Sequence, residues 1–133
     1  MTNLSKFNTV ERANAGVEVE LKNLATGGGS GAYITLFGMD SERYAEAKEE
    51  RARDLLARAA AGLTTTFTRE ERATFTANTL ARCTKGWRGL ESEGDGKPLQ
   101  FSVEEAVELY LRYPAIADQV NEEIARRANF LKS

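Results

Sequence analysis

The sequence predicts an α+β fold: about four helices that make up most of the chain, with one small N-terminal β-hairpin. Two observations carry this. Val17-Glu18-Val19-Glu20-Leu21 alternates apolar and charged residues, and a glycine-rich stretch separates it from Tyr33-Ile34-Thr35-Leu36-Phe37. Period two with β-branched and aromatic residues is the pattern of paired strands with one buried face. From residue 41 onward the apolar residues recur every three or four positions, in segments opened by Ser or Thr and closed by Gly or Pro. That is helical periodicity with helical punctuation. A chain of 133 residues, 41% hydrophobic and 29% charged, fits one domain that buries its own core without disulfides or metals.

Residues 1–15 are polar and unpatterned and are expected to form a loose arm ahead of a single domain over 16–133. The hairpin spans 17–37. Its tip, Ala25-Thr26-Gly27-Gly28-Gly29-Ser30-Gly31, is expected to be a flexible loop, because glycine loses more conformational freedom than any other residue inside a strand. Asp40 or Ser41 caps a first helix over about 41–61, stopped by Gly62. Tyr44, Ala52, Leu55, Leu56 and Ala59 mark its inner stripe. Glu49–Arg53 and Asp54–Arg58 have the i,i+4 order that supports a helix by about 0.2–0.5 kcal/mol each.

Thr68 and Glu71 form a capping-box pattern that opens a second helix over 69–86, with Gly86 at its end. Ala73, Ala77, Leu80, Thr84 and Trp87 make its stripe, whose small residues let another helix approach closely. Ser102 and Glu105 form a better capping box for a third helix over 103–113, with Phe101 placed to staple against Ala106. Pro114 cannot continue that helix and suits the first turn of a fourth over 114–131. Ile116, Val120, Ile124, Ala128 and Leu131 form its stripe, with Glu122–Arg126 and Glu123–Arg127 supporting it from outside.

Composition excludes several function classes. Lys and Arg number 18 against 20 Asp and Glu, a net charge of −2, which argues against a nucleic-acid partner. A basic spot at Arg82, Lys85 and Arg88 is answered by Glu91, Glu93 and Asp95. Cys83 is the single cysteine, so no intramolecular disulfide exists and a reducing compartment is expected, with the thiol buried in a helix. Histidine is absent, which removes the commonest general base and transition-metal ligand. No segment resembles a signal peptide, and no apolar run reaches the roughly 18 residues that span a bilayer. The expectation is a cytoplasmic, non-enzymatic protein with no cofactor, metal, nucleic-acid or membrane partner.

The motifs that invite a chemical reading are better explained otherwise. Gly27-Gly28-Gly29-Ser30-Gly31 sits between two strands with no lysine after it, whereas a phosphate loop precedes a helix and supplies Lys and Ser/Thr. Glu91, Glu93 and Asp95 lack the spacing of a calcium loop. The aromatic residues are more informative. Trp87 suits a core anchor whose indole N–H finds a carbonyl, and it equally suits a partner hot spot. Tyr110 and Tyr113, beside Pro114, suit half-buried packing or the lining of a groove for a peptide or helix. Trp87, Tyr110 and Tyr113 are therefore the candidate partner-binding residues.

Three stretches resemble the small tail assembly chaperones of long-tailed phages and prophages. One is the early hairpin leading into Leu36-Phe37-Gly38-Met39-Asp40-Ser41 and a charged helix. Another is Leu80 through Leu90, with Trp87 between Gly86 and Arg88-Gly89. The last runs from Asp95-Gly96-Lys97-Pro98-Leu99-Gln100-Phe101-Ser102 to Tyr113-Pro114-Ala115-Ile116 and a terminal helix containing Phe130. The resemblance covers roughly residues 17–131.

It implies a protein that binds the tape-measure protein, keeps that long helical chain soluble, and helps tail-tube protein polymerise around it. Such a protein works in the host cytoplasm and is absent from the finished particle. Many relatives also exist as a longer frameshifted product, and this chain would be the short form; self-association is possible. No individual binding residue is carried over by the resemblance. A rival of another class is a structural virion protein, a head–tail connector or tail completion subunit, whose glycine-rich hairpin orders on docking.

Overall fold

The computed structural model describes residues 1–131 of the chain; the last two residues of the expected domain lie outside them. In chain order come a 3-10 turn (Leu4–Phe7), α1 (Val10–Ala15), β1 (Val17–Lys22), β2 (Gly29–Leu36), α2 (Glu42–Ala60) and α3 (Arg69–Arg82). They are followed by β3 (Thr84–Arg88), α4 (Val103–Arg112), α5 (Pro114–Ala125) and a 3-10 turn (Arg127–Phe130). The architecture is α+β and mainly helical, as expected, but the hairpin is part of a three-stranded antiparallel sheet in the order β1-β2-β3.

The third strand corrects the second helix. Instead of running to 86, α3 ends at Arg82, Cys83 is its C-cap, and Thr84–Arg88 pairs with β2. The apolar stripe that counted Thr84 and Trp87 as helical crosses this boundary. Thr84 and Trp87 do face the core side, but from a strand, opposite Leu36 and Ile34 respectively. β2 would otherwise present an unpaired row of backbone groups beside a buried face, and β3 satisfies them. On the core face lie Val19, Leu21, Ala32, Ile34 and Leu36, packed against α3, α4 and α5. On the outer face Arg88 donates to both Glu18 carboxylate oxygens at 2.8 and 3.0 Å and lies 3.9 Å over the Tyr33 ring, tying the three strands together.

The second half of the expected loose arm over 1–15 is docked, while residues 1–8 stay exposed. α1 buries Ala13, and Thr9 is buried ahead of it. What orders it is the turn after β2. Three successive N–H groups there reach three helix ends: Phe37 donates to the Cys83 carbonyl at 2.7 Å, Gly38 to Ala13 at 3.2 Å, and Met39 to Ile124 at 3.1 Å. Helix C-termini leave carbonyls without intrahelical partners, so this turn is a hub on which α1, α3 and α5 close. Gly38 is required there: a Cβ would come within 2.9 Å of the Phe130 ring and 3.0 Å of the Ala13 methyl.

Capping follows the sequence with one change, at Ser102. Ser41 caps α2, accepting from the Tyr44 N–H at 3.2 Å, which leaves Asp40 for other partners. Thr68 and Glu71 form the complete reciprocal box, whereas Ser102 only accepts from the Glu105 N–H at 3.0 Å. α2 also turns a different face inward. Tyr44, Ala47, Arg51, Leu55 and Arg58 point toward the body of the protein, while Ala52, Leu56 and Ala59 face out, with Leu56 71% exposed. The reason is the partner. α3 offers Phe75 and, just before it, Phe67, which meet edge to face at 4.8 Å. Arg51 and Arg58 lie over those rings at 5.1 and 5.2 Å, a contact that favours arginine over alanine. Among the described residues neither Glu49–Arg53 nor Asp54–Arg58 is an ion pair.

The fourth helix is shorter than 114–131. It stops at Ala125, and a 3-10 turn then swings Phe130 into the core at 1% exposure, leaving Ala128 exposed. The Asn129 side-chain amide donates to the Glu123 carbonyl at 3.1 Å, supplying a cap where no glycine is available. The outer pairs change accordingly: Arg126 meets Glu123 at i,i+3, and Arg127 leaves the helix face for Asp40.

Candidate functional site

Between β3 and α4 the chain makes a small excursion. Leu99 donates to the Leu90 carbonyl and Ser92 to Lys97, both at 2.8 Å, and Glu91 bridges Pro98. These contacts form a miniature hairpin with Glu93-Gly94-Asp95-Gly96 at its tip. Gly96, at φ +65°, takes the left-handed turn that L side chains resist. Gly89, at φ +79°, sets its root, where a Cβ would come within 2.5 Å of the Gly31 carbonyl oxygen.

This excursion stands away from α4 and leaves an open groove of about 670 Å³. Leu90 and Leu99 on one wall, and Leu109 and Ile116 on the other, make it apolar at depth. Glu91 and Glu93 rim the excursion side, and Glu105, Glu108 and Arg112 rim the helix side. Tyr113 spans the mouth: its hydroxyl donates to Glu93 Oε2 at 2.6 Å, while Arg112 stands 3.9 Å from the same carboxylate. The hydrogen bond to Glu93 raises the Tyr113 pKa above the ordinary phenol value, since removing that proton would set two anions side by side.

The three aromatic candidates separate in space. Tyr113 lines the groove. Trp87 stands behind its wall, half-buried on β3, with its indole N–H donating to the Leu99 carbonyl at 2.8 Å and its ring meeting Phe101 edge to face at 4.9 Å. That is the core-anchor role, and it holds the excursion in place; Phe101 packs on this indole. Tyr110 is not brought to the surface at all. It is 3% exposed, and its hydroxyl shares a 2.6 Å hydrogen bond with the buried Thr84 Oγ1, which itself donates to the Leu80 carbonyl. Burial pushes the Tyr110 pKa up to about 12. It is an architectural residue and offers no face to a partner.

Sequence reasoning missed the four aliphatic residues of the groove and the carboxylates of α4. A signal existed: Glu105, Glu108, Leu109 and Arg112 share one helical face through i,i+3 and i,i+4 spacing. What could not be seen was that Leu90 and Leu99 would face them across a gap. Cys83 is fully buried at the α3 C-cap, where desolvation raises its pKa to about 11. Among the described residues no cluster of three or more Cys, Asp and Glu side chains could hold a metal ion, and no helix is long and apolar enough to cross a membrane.

A family model described as YdaY prophage protein matches residues 39–133, which is most of the chain. The chain belongs to the YdaY prophage protein family. Searches of curated proteins and of solved structures returned no match. The family region begins at Met39, inside the hub, and runs through α2, α3, β3, the excursion, α4 and α5. It thus contains every residue that lines the groove, while α1, β1 and β2 precede it. The phage or prophage origin expected from the resemblance is therefore established at the level of the family.

Proposed function

We propose that this chain is a phage or prophage tail assembly chaperone that binds the tape-measure protein and assists polymerisation of tail-tube protein. The observation that carries the reading is the open groove with Leu90, Leu99, Leu109 and Ile116 at its depth. A tape measure is a long helical chain whose apolar stripes lie exposed before assembly, and helix-in-groove packing covers such a stripe. Membership of a prophage family is consistent with the role, as is the resemblance of Leu80–Leu90 and Asp95–Ser102 to tail chaperones. The proposed role is binding without chemistry, in the host cytoplasm, with the protein absent from the mature particle.

Co-expression tests it. The expected result is that the tape-measure protein of the same phage or prophage stays soluble and co-purifies with it under gentle conditions. The Leu109→Ala and Ile116→Ala double variant should release it. Failure of the wild-type pair to co-purify overturns the reading. Mass spectrometry of purified particles addresses the rival: a structural virion protein would be present at fixed copy number, and a chaperone would be missing.

A further inference from the structure

The net charge of −2 is not spread evenly, and the groove is where it concentrates. Four carboxylates, on Glu91, Glu93, Glu105 and Glu108, line it against the single guanidinium of Arg112. They stand on both walls, so any occupant has carboxylates along each of its flanks. Arg112 is 3.9 Å from Glu93, and both side chains are largely exposed, so their pairing is weak. Among the described residues, Glu91, Glu105 and Glu108 enter no ion pair within the chain. An occupant that buried the four aliphatic residues would bring its own flanks within a few ångströms of these charges, well inside the screening distance of about 8 Å at physiological salt.

Resting on the helix-in-groove reading above, we infer that the groove selects an amphipathic helix whose apolar stripe is bordered on both sides by lysine or arginine. The aliphatic depth supplies contact area common to any apolar helix, whereas the carboxylates discriminate. Acidic flanks would meet like charge on both walls, which costs affinity and slows encounter. A nucleic-acid strand is excluded by the same argument, since its phosphates would face four carboxylates. A helix suits these walls because it satisfies its own backbone groups and presents only side chains.

The test uses two synthetic helical peptides with the same leucine stripe, one flanked by lysines and the other by glutamates. Each is titrated into the full-length protein by calorimetry and by the fluorescence of Trp87, the single tryptophan, which is bonded to the Leu99 carbonyl at the groove wall. The lysine peptide is expected to bind about tenfold tighter at low salt, with the advantage shrinking as ionic strength rises. Combining Glu105→Lys with Glu108→Lys, both exposed and so compatible with folding, should reverse the preference; circular dichroism checks the fold.

Equal affinity for the two peptides, or a preference unmoved by the double variant, overturns the charge rule and leaves the tape-measure reading standing. Binding of neither peptide overturns the groove as a helix site. If the free protein sediments as a dimer and the double variant as a monomer, a second copy occupies the groove, and the inference also falls. A lysine preference combined with failure to co-purify with the tape measure removes the tape-measure reading alone.

Discussion

Asp40 and Arg127 lie 87 positions apart, yet the Arg127 guanidinium donates two parallel hydrogen bonds of 2.9 Å to the two Asp40 carboxylate oxygens. The Thr9 hydroxyl donates to the same carboxylate, so one side chain joins the approach to α1, the hub after β2 and the C-terminal turn. The Arg127 hydrogen bonds, then the one from Thr9, hold the Asp40 pKa below the ordinary carboxylate value. A lowered folded-state pKa means that the folded chain binds the proton less readily than the unfolded chain. The stabilisation is therefore complete above the unfolded pKa of about 3.9 and is lost as pH falls through the folded value. Asp40→Asn should lower the melting temperature at neutral pH, and its difference from wild type should vanish in acid. A gap that persists at low pH would contradict this assignment.

Gly38 and Phe130 make a second, sterically exacting contact. Gly38→Ala places a methyl against the Phe130 ring and the Ala13 methyl. Overpacking of this kind costs about 1–3 kcal/mol. Phe130→Ala should cost more, about 3–5 kcal/mol, since it empties a fully buried site. Urea denaturation followed by Trp87 fluorescence measures both.

Tyr110 and Tyr113 should behave as opposites under the same substitution. Tyr110→Phe removes a buried hydroxyl but leaves Thr84 bonded to the Leu80 carbonyl, and is expected to cost about 1 kcal/mol of stability without changing partner binding. Tyr113→Phe frees Glu93 at the groove mouth and should change partner or peptide affinity with little change in melting temperature.

Trp87→Phe keeps an aromatic ring against Phe101 but deletes the donor to the Leu99 carbonyl. The expected cost is about 1 kcal/mol, with faster amide exchange confined to residues 91–99. Exchange rising equally across β2 would mean that the indole N–H supports the sheet and not the excursion.

Cys83 supplies a probe of global opening. With no exposed surface and a pKa near 11, its thiol should resist a thiol-specific reagent at pH 8 until the chain unfolds. Rapid labelling of the native protein would show that the α3 end opens locally.

Much of this was legible beforehand because the relevant signals are local. The cap residues Ser41, Thr68 and Ser102, the break at Pro114 and the alternation in Val17–Leu21 depend on neighbours within a few positions, and the helices and the hairpin appear where those residues put them. The buried thiol followed from the apolar character of a lone cysteine. Trp87 in its anchoring role was one of two readings, and the carbonyl it needed came from Leu99, 12 positions away.

Tertiary structure decided what depends on distant partners. Thr84–Arg88 continues the helical stripe of α3, and only the open edge of β2 makes it a strand. Residues 1–15 carry no local pattern, and α1 is held by Gly38, Asp40 and the C-terminal turn. Two stripes of α2 were equally helical, and Phe67 and Phe75 selected the one carrying arginines. The groove is the extreme case. Its two walls lie on segments that are each ordinary, and its depth and its excess of carboxylates exist only once Leu90–Leu99 stands opposite α4. Periodicity and capping act over one or two turns, whereas a docking surface is a sum over elements that the sequence keeps apart.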